Sequence, residues 1–180
     1  MPCKTQTGKR ERDLTMKEQH RFMRGVGSLN YLVKLSRPDL SNAVRELSKG
    51  MKQATTRQWT YLIRAINYVC NTKNLGLNYQ KKSGHNTLEK SKWHSPTFSV
   101  HTYVDSDWGS NEKDRKSVTG YCIFLQGNLV VWKSRGQKTT GLSSTEAEYV
   151  ALSELCVEVL YMSSMLGFLV CISSILSTYM

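Results

Sequence analysis

The sequence lacks several patterns that would identify a function directly. It has no glycine-rich loop for phosphate groups, and its 4 histidines and 5 cysteines show no metal-ligand spacing, which excludes a zinc finger. The cysteines are odd in number and widely spaced, so we expect reduced, buried thiols rather than a disulfide framework. The first residues contain no apolar core, so we expect no secretory signal peptide there.

Positive charge is concentrated in the first half of the chain. The formal net charge is +11, and residues 1–97 carry 19 Lys and Arg against 6 Asp and Glu, whereas residues 98–180 carry 6 against 8. The basic half suits a polyanion, and the acidic half suits cations. With 180 residues and 39% hydrophobic content, the chain is long enough for one core, or for one domain with an appendage.

The first half has the pattern of a helical segment. Residues 1–16 are polar, basic and without periodicity, which predicts a mobile arm. Residues 17–79 carry apolar side chains at helical spacing in three successive segments, of which the second should begin at Pro38 and the third near Thr55. Residues 80–97 mix lysines with turn-forming residues and show no period, so they predict a linker.

Beyond the linker the hydrophobic period changes to two residues. Residues 99–105 alternate as a strand, and two further strands over 118–125 and 129–133 are joined by a short hairpin loop. Three antiparallel strands should therefore lead into a helix that opens at Ser143. The predicted fold class is α/β, with a basic helical segment followed by a sheet-containing domain over residues 98–166.

The helix at Ser143 carries one carboxylate that requires a positive partner. Ser143 and Glu146 have the spacing of a capping box, whereas Glu148 heads an apolar stripe. The stripe continues at three- and four-residue steps through Leu152, Leu155, Val159, Met162 and Leu166. A carboxylate on that face either binds something positive or costs several kcal/mol of desolvation. Glu154 and Glu158 are expected to lie on a solvated face.

Asp105 is the expected companion of Glu148. It ends the first strand, and a helix that packs across the sheet would bring both carboxylates to one edge. Two neighbouring acids repel each other unless a cation lies between them, and Mg²⁺ prefers oxygen ligands. Two-metal phosphoryl chemistry usually needs more than two acids, and the alternative role of Asp105 is to cap the loop after its strand.

Long stretches of the chain resemble one known family. The ribonuclease H domain of copia-type retrotransposon polyproteins is similar to TYVDSDWGSNEKDRKSVTGYCIFLQGNLVVWKSRGQKTTGLSSTEAEYVALSE. The connection that precedes this domain is similar to GSLNYLVKLSRPDLSNAVRELSKGM and WTYLIRAINYVCNTKNLGLNY. The resemblance implies Mg²⁺-dependent hydrolysis of RNA in RNA–DNA hybrids. It also implies that Asp105 and Glu148 are catalytic residues and metal ligands.

Part of the family pattern is missing. The resemblance implies two further acids after this helix, the first on a fourth strand, but no Asp or Glu follows Glu158. Asp107 is a candidate substitute. We therefore expect a truncated or frameshifted element with an incomplete ribonuclease H-like fold, in which Mg²⁺ is needed only if activity survives. Lys133, Arg135 and Lys138 are then candidate contacts to an RNA–DNA hybrid or another nucleic acid.

The stretch after Glu158 contains no charged residue. It is long enough to span a bilayer, but five serines, a threonine and a glycine dilute its apolar character. We expect residues 167–180 to form a degenerate apolar tail, with a strand near residues 168–172. We do not expect a membrane partner.

A short motif indicates a different class of function. The residues Arg21, Phe22, Met23 and Arg24 approximate the RxLR signature of effectors that oomycetes deliver into plant cells, and copia-like chains are counted among such effectors. The absent signal peptide, and acidic residues that precede the motif instead of following it, argue against this interpretation. We expect an intracellular location, in the cytoplasm or nucleus. The alternative is a secreted protein that reaches the host cytoplasm or nucleus and acts on host proteins there.

Overall fold

A computed structural model describes residues 11–80, 99–111 and 114–178, with side chains up to residue 169. The described elements are α1 (Met16–Leu35), a 3₁₀ turn (Pro38–Leu40), α2 (Ser41–Ser48), α3 (Thr56–Asn71), β1 (Val100–Asp107), β2 (Val118–Leu125), β3 (Asn128–Gly136) and α4 (Ser144–Thr178). They belong to two compact units, Met1–Leu77 and Asn78–Met180, which we call the helical unit and the sheet unit. The α/β class predicted from the sequence is confirmed.

Helix α1 is capped by residues that were expected to be mobile. The Glu18 N–H donates to Thr15 Oγ1 at 3.4 Å, and the Thr15 N–H donates to the Glu18 carboxylate at 2.9 Å, which completes a capping box. Arg12 forms an ion pair with Glu18 at 2.9 Å. This ion pair, together with the hydrogen bonds from Thr15, lowers the pKa of Glu18 to about 2. Leu14 is buried. Residues 11–15 therefore belong to the helical unit, because capping and burial hold them there.

Two predicted segments fall largely outside the described residues. The first segment is the expected arm, of which residues 1–10 are not described. The second is the expected linker, of which only Gln80 is described. Gln80 exchanges two hydrogen bonds with the Asn128 side chain, its N–H donating to Oδ1 at 2.8 Å and its carbonyl accepting from Nδ2 at 3.0 Å. This end of the linker is thus held against the start of β3.

Ten buried side chains form the core of the helical unit. They are Leu14, Phe22, Val26, Leu29, Leu40, Val44, Leu47, Ala54, Leu62 and Ala65. Helices α1 and α3 approach closely at Gly25, where an added Cβ would lie 2.9 Å from a methyl group of Leu62. The third predicted helix is present, but Ile63 and Cys70, which were expected to be buried on it, are exposed because α3 packs on one side only.

The cysteines differ from the expectation of uniformly buried thiols. All three cysteines with described side chains are unpaired, but Cys70 and Cys156 are exposed on their helices. Only Cys122, on β2, is half-buried, and burial raises the pKa of its thiol. Cys3 and the side chain of Cys171 lie outside the described part of the chain.

A buried arginine joins the 3₁₀ turn to the end of α3. The Arg37 guanidinium donates to both carboxylate oxygens of Asp39, at 3.0 and 2.8 Å. It also donates to the carbonyl and hydroxyl oxygens of Thr72, at 3.1 and 2.8 Å. The same group lies 5.4 Å from the centre of the Tyr68 ring, and its hydrogen bonds lower the pKa of Asp39. The Arg37 side chain thus connects the 3₁₀ turn to the end of α3.

The sheet contains the three antiparallel strands predicted from the sequence, in the order β1-β2-β3. The turn between β2 and β3 has only two residues, Gln126 and Gly127, both with positive φ (52° and 82°). Such a two-residue turn matches the right-handed twist of the strands that it joins. In the register Asp105 lies opposite Gly120, and Val104 lies opposite the buried Tyr121.

Helix α4 packs on the sheet through a face that is offset from the predicted one. Ala147, Ala151 and Leu155 are buried, whereas Glu148 and Leu152 are exposed. The two small alanines let the helix lie close to the strands, so the stripe predicted from larger apolar residues is correct only from Leu155 onward. The core here consists of Tyr121, Ile123 and Leu155, with partly buried neighbours that include Val159 and Met162.

The predicted strand near residues 168–172 is wrong, because α4 continues without interruption to Thr178. No proline follows Ser143 in the sequence, so nothing in the covalent chain stops the helix. Its outer part is exposed, including Leu160, Phe168 and Leu169. Among the described residues, Ser144–Leu169 is the one helical stretch long and apolar enough to cross a membrane, and 6% of its apolar 18-residue window is buried.

Candidate functional site

Asp105 and Glu148 meet at the end of β1. The Ser106 N–H donates to Asp105 Oδ1 at 2.9 Å and to Glu148 Oε1 at 3.3 Å. One backbone donor, 42 residues from Glu148 in the chain, is therefore shared by the carboxylates of β1 and α4. Both side chains are exposed, so Glu148 does not carry the desolvation cost that was expected from an apolar helix face. Water, a cation or a phosphate-bound metal can reach both acids.

Buried polar contacts hold the first turn of α4 against the sheet beside this pair. The Gln137 side chain, 3% exposed, donates to the Ala147 carbonyl at 2.8 Å and to Thr119 Oγ1 at 3.2 Å. The indole N–H of Trp108 donates to the Gly141 carbonyl at 3.1 Å, which ties the exit of β1 to the loop before α4. Sequence reasoning missed Gln137, because a single glutamine in a loop gives no sign of burial.

The start of α4 is capped almost as predicted. The Glu146 N–H donates to Ser143 Oγ at 3.1 Å, which is the serine half of the capping box. The Glu146 carboxylate accepts from the N–H of Leu142 at 2.7 Å, and not from the N–H of Ser143 as a standard capping box would require. Glu146 is thereby engaged in helix capping, while Glu148 remains directed to the end of β1.

The two carboxylates can be tested against the Mg²⁺ that the family resemblance implies. Mg²⁺ is often held by one or two carboxylates, with water and substrate phosphates completing an octahedron. Among the described residues, no group of three or more His, Cys, Asp or Glu side chains could hold a metal, and Asp107 therefore forms no triad with the pair. The residues present fit one hydrated Mg²⁺ and do not fit the clamp of two metals.

Lys133, a candidate nucleic-acid contact, is engaged inside the sheet unit. Its ammonium group donates to Glu158 Oε1 at 3.1 Å, and the Tyr121 hydroxyl donates to the same oxygen at 2.9 Å. These hydrogen bonds lower the pKa of Glu158, which does not lie on the solvated face that was expected for it. Arg135 and Lys138 are exposed, and neither forms an ion pair with another described residue.

A basic stripe runs along the exposed side of α1 in the helical unit. Lys17, Arg21, Arg24, Ser28 and Tyr31 recur at three- and four-residue steps, and all are exposed. Within the described part of this unit, the acids form ion pairs with four other cations: Arg12, Arg37, Arg45 and Lys49. The cations of the α1 basic stripe are therefore not neutralised by those acids. Basic residues at helical spacing are the signal that could have identified it.

The RxLR-like motif lies inside α1. Arg21 and Arg24 point outward as part of the basic stripe, but Phe22 is fully buried (0% exposed) and Met23 is half-buried. The four residues thus form one turn of a packed helix. A receptor that reads an extended peptide would meet only the two arginines.

Comparison with known proteins gives two kinds of relative. The retrovirus-related Pol polyproteins from transposons RE2 and RE1 of Arabidopsis thaliana are each 36% identical over 141 residues, which is 78% of this chain but 9% of each polyprotein. The secreted RxLR effector protein 161 of Plasmopara viticola is 33% identical over 142 residues, which is 79% of this chain and 91% of that protein. No family model and no solved structure matches the chain.

Proposed function

Because the chain belongs to the copia-type retrotransposon Pol family, we propose that it binds RNA–DNA hybrid or another nucleic acid through its helical unit, with little or no cleavage. The observation that supports binding most directly is the α1 basic stripe, whose cations are exposed and are not paired with the acids of their own unit. A nucleic acid supplies the missing negative charge as a regular row of phosphates.

The α1 basic stripe has dimensions that suit a phosphate backbone. Lys17 and Arg24 are seven residues apart on one helix, a distance of about 10 Å at 1.5 Å per residue, and Tyr31 lies seven residues further along. The three cations there would contact neighbouring phosphates, and Tyr31, 65% exposed, offers a ring for stacking on a sugar or an unpaired base. Contacts to phosphate and sugar position a duplex but do not distinguish one base sequence from another.

Binding can be tested with the full chain and an RNA–DNA hybrid at several salt concentrations. The logarithm of the affinity should fall steeply with the logarithm of salt, because each phosphate contact releases about 0.9 counterion. The double variant Arg21→Gln/Arg24→Gln should bind roughly tenfold or more weakly at low salt and lower the slope by about two. Lys49→Gln/Lys52→Gln removes the same charge from exposed positions outside the stripe and should change the slope much less.

Two results would contradict the proposal: a flat salt dependence of the parent chain, or equal slopes for the two double variants.

The same hybrid should stay uncut with Mg²⁺, because Asp105 and Glu148 supply only two ligands. Bound there, Mg²⁺ would stabilise negative charge on a phosphate, while the Ser106 N–H keeps the carboxylates together. Mg²⁺-dependent cleavage that disappears in both Asp105→Asn and Glu148→Gln would show a working nuclease instead.

A second function is favoured by the similarity to the effector of Plasmopara viticola, of which the chain covers 91%. In this alternative the chain is secreted, reaches the host cytoplasm or nucleus, and acts on host proteins to suppress defence or cell death. Because Phe22 is buried in α1, the folded helical unit would act, and the RxLR-like residues would not serve as an exposed peptide.

The effector function predicts less cell death in plant tissue that expresses the chain and is then challenged with a cell-death inducer. The Phe22→Ala variant, whose helical unit should lose most of its stability, is the matched control and should have a much weaker effect. An unchanged response to the parent chain, with the protein shown to accumulate, would reject this function.

A further inference from the structure

Helix α4 extends far beyond the sheet on which it packs. Among the side chains described up to Leu169, the last buried one is Leu155 (4% exposed), and Val159 and Met162 are partly buried against the same cluster. The helix nevertheless continues to Thr178, which is 16 residues beyond Met162. An isolated helical extension of that length gains little from its own hydrogen bonds in water, so it needs an apolar environment to remain helical.

The extension is apolar and carries no charge on any side. None of the 25 Lys and Arg or 14 Asp and Glu of the chain lies after Glu158. Leu160 and Phe168 are 69% and 68% exposed, although such side chains are normally buried. A helix that docks in a protein groove usually has one apolar stripe and a charged opposite face, whereas a helix without charge on any side is typical of a core or a membrane.

We propose that residues 163–178 of α4, which follow Met162, insert into a lipid bilayer. These 16 helical residues have a length of about 24 Å at 1.5 Å per residue, and local thinning of the bilayer accommodates the difference from its hydrocarbon thickness of about 30 Å. A serine hydroxyl in a helix can donate to the carbonyl four residues earlier, which lowers the cost of burying it in lipid. This inference revises the expectation that no membrane is involved, and it is independent of nucleic-acid binding.

The test uses the full chain, synthesised in the presence of vesicles of neutral phosphatidylcholine. Neutral lipid does not attract the basic helical unit electrostatically. The fraction of the chain that floats with the vesicles therefore reports insertion of α4. The chain should float with the vesicles and resist both high salt and alkaline carbonate. Leu169→Arg places a charge near the middle of the segment and should reduce the floated fraction at least tenfold.

The matched control is Tyr149→Arg, which adds the same charge to an exposed position in the first turns of α4. It should float like the parent chain. Leu169 is 55% exposed, so its replacement should leave the unfolding transition of the sheet unit unchanged, and loss of flotation could not be ascribed to misfolding. A parent chain that stays at the bottom of the gradient would overturn the proposal, and a vesicle-free dimer would then assign this surface to a second copy. Equal flotation of the two variants would also overturn it.

Discussion

Replacing Phe22 by alanine should remove most of the stability of the helical unit. Phe22 is fully buried (0% exposed) among the side chains of α1, α2 and α3, and its loss leaves a cavity that the neighbours cannot fill. Truncation of a buried phenylalanine costs about 3–5 kcal/mol of unfolding free energy. A unit of fewer than 80 residues buries a small core, so a loss of this size removes most of its stability.

Urea denaturation followed by far-UV circular dichroism would measure this effect. Arg24→Ala, in the same four-residue motif but on the exposed side of α1, is the control and should change the unfolding free energy by less than about 0.5 kcal/mol. Equal stability of the two variants would show that Phe22 is not a core residue. The role of the RxLR-like motif in targeting should therefore be tested by replacing only its two arginines, because their replacement leaves the fold intact.

Replacing Arg37 by methionine should destabilise the helical unit by about 1.5–3 kcal/mol. Arg37 is 4% exposed, and its removal leaves the Asp39 carboxylate and the Thr72 carbonyl without their donors. Methionine keeps much of the side-chain volume, so the loss reports polar contacts more than packing. Arg37→Lys retains the charge but cannot donate to both partners in the same planar geometry, and it should give an intermediate loss.

The effect of Arg37 should depend on pH in a defined direction. Its hydrogen bonds hold the pKa of Asp39 below the usual 3.8, so protonation of Asp39 opposes folding. The stabilisation is present above the unfolded-state pKa and is lost as the pH falls through the lowered value. The stability difference between the parent and Arg37→Met should therefore shrink below about pH 4. A difference that stays constant with pH would show that Arg37 acts through packing alone.

Local patterns in the sequence determined most of the secondary structure. Three features could be recognised from residues that lie close together in the chain. They are the capping serine Ser143, the change of hydrophobic period and the short β2–β3 turn. The proximity of Asp105 and Glu148 could also be anticipated, because a strand end and a helix start were expected to meet across one sheet.

The tertiary structure alone decided which side chains face the core and which partners they meet. It turned Ala147 inward in place of Glu148, paired Lys133 with Glu158, and buried Arg37 between two elements. These outcomes depend on how closely two surfaces approach, which hydrophobic spacing does not specify. The sequence by itself determined the elements and the uncharged character of α4 after Glu158. Only the tertiary structure showed that α4 stays helical there and that Leu160, Phe168 and Leu169 are exposed, because the three described strands are too few to cover them.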